Sequence, residues 1–125
     1  MMMPQVTEKL LESYTQNLCD LYGRHLVSVI LYGSYARGDY TPESDIDVMI
    51  LVDLDDKAIK QEGKSLSYMT YDYNFDHELT IMPYVVNIDH FNKWLGAYPF
   101  YNNVKKEGKE IYVSCPKLMS GEIGV

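Results

Sequence analysis

Val6, Leu10, Tyr14, Leu18 and Leu21 recur at helical spacing, and Leu11 and Tyr22 widen the stripe. This pattern predicts a helix from about residue 5 to 22, closed by Gly23 as its C′ residue. The run "HLVSVILYG" is short and rich in β-branched residues, so it reads as a strand ending at Gly33. "SYARGDYTPES" reads as a loop with one helical turn at its start. "DIDVMILV" is a second strand, and its unbroken apolar half predicts a central position covered on both faces. Between residues 55 and 73, Ile59, Leu66, Met69 and Tyr73 return at helical intervals, against which Gly63 counts as a weak point. "ELTIMPYVVN" is a third strand, and Pro83 within it points to a sheet edge or a bulge. One or two short helices around Pro99 should run to Gly108, and "KEIYVS" is expected as a last short strand. The tail from about residue 115 is expected to be poorly ordered. Helices alternating with strands predict an α/β chain, a small mixed sheet of three to four strands flanked by helices.

Composition narrows this picture. A length of 125 residues fits one domain over residues 1–125, and no linker or repeat divides it. The net charge is -7, from 18 acidic against 11 basic side chains. That balance argues against a nucleic-acid partner, since neutralising phosphates needs a basic surplus. Cys19 and Cys115 are too few for a disulfide scaffold and read as two buried or partly buried thiols. His25, His77 and His90 show no metal-site spacing and read as structural. No basic start followed by an apolar stretch opens the chain, and the run from Val48 to Val52 is too short to span a bilayer. A cytoplasmic setting is expected. The twelve tyrosines, many in the C-terminal half, hint at a partner surface.

Candidate chemistry gathers in residues 31–51, "LYGSYARGDYTPESDIDVMIL". A turn between two strands needs no pair of carboxylates one residue apart. Gly33 would let backbone approach a phosphate, Ser34 adds a hydroxyl donor, and Arg37 about one turn on could reach phosphate oxygens. Asp45 and Asp47 are two apart on a predicted strand, so they share a face, roughly 6.5–7 Å from each other along it. A hard divalent cation would relieve their repulsion. A third carboxylate should come from a neighbouring strand, and "ELTIMPYVV" offers Glu78, with Asp76 just before it. Glu78 is the favoured choice because it is read as belonging to the strand.

Gly33-Ser34, ten residues, then Asp45 and Asp47 in Asp-x-Asp spacing resemble the signature of the nucleotidyltransferase (DNA polymerase β-like) superfamily. Arg37-Gly38 resembles the "ARG" of its small stand-alone members, the minimal nucleotidyltransferases. The signature covers only residues 33–47. The resemblance implies the nucleotidyltransferase fold and transfer of a nucleotidyl group, AMP from ATP, with release of pyrophosphate. It also implies Mg²⁺, two ions held by Asp45, Asp47 and Glu78, with the nucleotide on Gly33, Ser34 and Arg37. Family members usually carry Asp as the third acid, so Glu78 is a departure. The implied acceptor is a partner protein, as in toxin–antitoxin pairs where the antitoxin accompanies a small helical HEPN protein. Two alternatives stand beside this: a module that neutralises a partner by occlusion, and a small-molecule adenylyltransferase completed by homo-oligomerisation.

Overall fold

The computed structural model describes residues 5–111, and of residues 5 and 6 the backbone only. The element order is α1 (Gln5–Tyr22), β1 (Leu26–Tyr32), α2 (Ser34–Arg37), β2 (Ile46–Val52), α3 (Asp56–His77), β3 (Ile81–Asn87), α4 (Ile88–Trp94), α5 (Pro99–Glu107) and β4 (Lys109–Glu110). The strands form one sheet in the order β3-β2-β1-β4. β1 runs antiparallel to both β2 and β4, while β2 and β3 are parallel. The mixed α/β sheet of four strands is therefore as the sequence pattern predicts. β2 takes the central place its apolar run requires, and Pro83 lies on edge strand β3.

Alternation along the strands divides the core into two layers. Val29 and Leu31 of β1, with Ile46, Val48, Ile50 and Val52 of β2, face the larger layer. There they meet Leu11, Tyr14 and Leu18 of α1 and Leu66 and Tyr73 of α3. Met49, Leu51 and Val86 face the other side, against Phe91 of α4 and Tyr101 and Val104 of α5. Each fully buried Leu or Ile contributes about 1.5–3 kcal/mol over its exposed state, so the two layers fix the sheet face by face. A one-residue slip of β2 would turn Asp47 into the larger core.

Local chemistry sets the ends of the elements. Gly23 stops α1 at a positive φ of 59°. Asp55 caps α3 by accepting from Ala58 N at 2.8 Å, and Asn87 caps α4 by accepting from His90 N at 2.9 Å. α3 outruns its predicted end at residue 73 and continues to His77. Asn74 then pins the entry to β3, donating to Ile81 O at 3.1 Å and accepting from Ile81 N at 2.9 Å. Gly63 is accommodated inside α3, where a side chain would meet nothing within 4 Å. Cys19 departs from expectation: it is buried and disulfide-bonded, and no described cysteine is a free thiol. The tail from about 115, Cys115 and the end of the last predicted strand lie outside the described residues.

Candidate active site

β1 and β2 are joined by residues 33–45, and this loop folds back on itself. Gly33 stands at φ 76°, ψ -153°, a conformation essentially restricted to glycine. Its carbonyl accepts from Ala36 N at 3.1 Å and Arg37 N at 3.0 Å, which starts the single turn of α2. Gly38, at φ 89°, ends that turn with its N–H on Ser34 O at 2.8 Å. Tyr35 and Tyr40 stack with ring centroids 4.3 Å apart, and Thr41 and Ser44 close a second small turn, Ser44 N donating to Thr41 O at 3.0 Å. Three local constraints thus use up the ten residues after Ser34. They return the chain to β2 with Asp47 paired to Tyr32 across the sheet.

The consequence is a close approach. A Cβ built on Gly33 would run into Asp47 Oδ2. Glycine is therefore required here twice, by its backbone conformation and by the carboxylate beside it. Asp47 is half-buried, while Asp45, one residue ahead of β2, is exposed. Burial pushes the Asp47 carboxyl above the usual carboxylate range, the Asp45 charge adds to this, and Arg37 partly offsets it. A divalent cation suits such a pair, because its charge removes the penalty of holding two carboxylates close in a partly dry place.

Ser34 is half-buried at the start of α2. Arg37 is exposed and already paired, its Nε 3.1 Å from Asp39 Oδ2 and a terminal guanidinium nitrogen 3.3 Å from Glu107 Oε1 at the end of α5. Binding a phosphate would require Arg37 to exchange these carboxylates for it. Gly33, Ser34, Arg37, Asp45 and Asp47 thus stand on one short stretch at one end of the β1–β2 pair.

Glu78 lies outside the strand to which the sequence reading assigned it. It is not on β3 but is the C-cap of α3, in the left-handed region at φ 53°, ψ 46°, with its N–H on Asn74 O. Asp76 is exposed in the last turn of the same helix. Among the described residues no three His, Cys, Asp or Glu side chains form a group that could hold a metal ion. The strand position beside Asp47 belongs instead to Met82. Sequence reading also missed the aromatic surroundings. Phe100 of α5 meets Tyr32 and Tyr84 edge-on at 5.6 and 5.7 Å. Burial and the nearby Asp47 push the Tyr32 hydroxyl up to about 12, so it stays protonated. Strand parity carried the signal for Tyr32 and Tyr84, because both fall on the Asp47 face once the register is known.

A glycine turn closed over a carboxylate on an inner strand of a mixed sheet is an arrangement that can take a phosphate and a cation side by side. The nucleotidyltransferase domain family matches residues 11–113, so the chain belongs to that family and is a nucleotidyltransferase. A Methanocaldococcus jannaschii protein, provisionally named a protein adenylyltransferase, is 36% identical over 106 residues, covering 84% of this chain and 97% of that one. The fold is similar to the crystal structure of a provisionally named nucleotidyltransferase from Sulfolobus solfataricus. That similarity has a TM-score of 0.51 at 21% identity and covers 82% of this chain and 77% of that one. A chain of a Shewanella oneidensis complex between a tri-AMPylated HEPN toxin and its MNT antitoxin shows a fainter likeness. Its TM-score is 0.45 at 16% identity, over 94% of this chain and 87% of that one. No helix among the described residues is long and apolar enough to cross a membrane.

Proposed function

We propose that this chain transfers the adenylyl group of ATP to a hydroxyl of a protein acceptor. Asp45 and Asp47 hold Mg²⁺, and Gly33, Ser34 and Arg37 hold the triphosphate. The carrying observation is the closure of Gly33 onto Asp47, which brings a side-chain-free stretch of backbone against a carboxylate. A phosphate lying on that backbone would share a cation with Asp47. Magnesium, when bound, neutralises charge on the phosphoryl oxygens. In the transfer, the acceptor oxygen bonds to the α-phosphorus and the bond from that phosphorus to the β-phosphate bridging oxygen breaks. Pyrophosphate leaves with the electron pair, and the hydroxyl proton passes to solvent.

A protein acceptor is supported by the name of the Methanocaldococcus jannaschii relative, which spans nearly the same length. A HEPN-type helical partner follows from the family resemblance. Tyr68, Tyr71 and Phe75, exposed along one side of α3, offer such a partner an aromatic surface. A second reading, occlusion of a partner without transfer, draws on the position of Glu78 away from β3.

Titrating ATP with and without Mg²⁺ tests the site. Affinity should depend on the ion in the wild-type chain, and that dependence should vanish in the Asp45→Asn, Asp47→Asn double variant. Equal, ion-dependent binding by both proteins would remove the metal-holding role of the pair.

A further inference from the structure

Pairing in the sheet decides which side chains can share an ion with Asp47. Residues opposite one another on adjacent strands project to the same side. Asp47 pairs with Tyr32 on β1 and with Met82 on β3. The next row on that face is Glu110, Ile30, Met49 and Tyr84. Of these neighbours only Glu110 carries a carboxylate, and it stands on edge strand β4, two strands from Asp47, where it accepts from Ser28 Oγ. The one strand neighbour that is half exposed and free of the core at this level is Met82, at 50% exposure. Its thioether is a soft donor, poorly matched to a hard cation that takes oxygen ligands. A second catalytic ion, which would lie about 3.5–4 Å from the first, needs a bridging or third carboxylate. The other candidates lie outside β3: Glu78 is the left-handed C-cap of α3 and Asp76 stands in the last turn of that helix.

We infer that Met82 occupies the third-ligand position of this site, and that the chain therefore loads one divalent ion with its nucleotide instead of two. This rests on the proposed adenylyl-transfer reading and departs from a two-ion centre. Asp45 and Asp47 would hold the single ion, and triphosphate oxygens and water would supply its other ligands. The strand positions paired directly with Asp47, Tyr32 and Met82, offer no second acid to take the acceptor's proton.

The test counts Mn²⁺ bound per chain by electron paramagnetic resonance, at saturating AMP-PNP, with the nucleotide-only signal subtracted. Wild type should bind one Mn²⁺. Met82→Asp should bind two, and Met82→Asn, of similar size but uncharged, should stay at one. Met82 is half exposed, so both variants should keep the wild-type circular dichroism spectrum. A count of two for wild type would overturn the inference, and if Glu78→Gln lowered it to one, Glu78 would be the ligand. A count of one for folded Met82→Asp would also overturn it, because position 82 would then not face the ion. Binding of neither AMP-PNP nor Mn²⁺ by wild type would instead fail the adenylyl-transfer reading itself.

Discussion

Gly33 joins two requirements at one residue. Its φ of 76° with ψ of -153° is a region that other residues enter only at a penalty, and its missing side chain leaves room for Asp47. Gly33→Ala should therefore destabilise the fold by about 1–3 kcal/mol for the backbone strain alone. It should also displace the Asp47 carboxylate and weaken Mg·ATP binding. Urea unfolding and an ATP titration on the same variant check both effects. Wild-type stability together with wild-type binding would mean that the turn neither needs glycine nor touches the site. The residues at 33, 34, 37, 45 and 47 were legible in the sequence because they lie within fifteen positions of each other. Local chain geometry brings them together whatever the rest of the fold does.

Most elements were also legible from periodicity, but α3 shows where that signal ends. Its apolar spacing fades after Tyr73, yet the helix continues to His77 and caps on Glu78. A non-glycine residue in the left-handed conformation is uncommon, so no glycine marks the stop. The reading of "ELTIMPYVV" as strand from its first residue placed Glu78 beside Asp45 and Asp47. The clamp of Asn74 on Ile81, a contact between a helix and a strand seven residues on, sets the true start of β3. α1 and α3 are tied by a different polar contact, in which the Tyr14 hydroxyl lies 2.7 Å from Thr70 Oγ1 in the core. Burial pushes the Tyr14 hydroxyl up to about 12, with the Thr70 hydrogen bond partly opposing. The unfolded value is 10.0, so the folded state holds the proton more tightly. The stability this gives is complete below pH 10 and is lost as pH rises through about 12. Tyr14→Phe should flatten the loss of Tm between these limits, measured by circular dichroism melts from pH 9 to 11.5. An unchanged slope in that variant would show that Tyr14 does not titrate with unfolding.

At the scale of the whole molecule, helices cover both faces of the sheet, and the Gly33–Asp47 end of the β1–β2 pair remains partly open to solvent. The net charge of -7 leaves no basic surplus for a polynucleotide acceptor, and it adds to the need for a cation when a triphosphate binds. Under the proposed function, the aromatic flank of Tyr68, Tyr71 and Phe75 on α3 is the surface on which a protein acceptor would dock. The acceptor's identity was beyond reach of sequence reading, because recognition depends on exposed surface and leaves no periodic trace. The central claim is adenylyl transfer, and ATP labelled in turn at the α- and γ-phosphate tests it most directly. The chain would be incubated with Mg²⁺ and a co-purified partner protein, then resolved by denaturing electrophoresis. The account predicts label on the partner from α-labelled ATP only, with none from γ-labelled ATP and none from Asp47→Asn. Label from γ-labelled ATP, or equal α-label with Asp47→Asn, would contradict it.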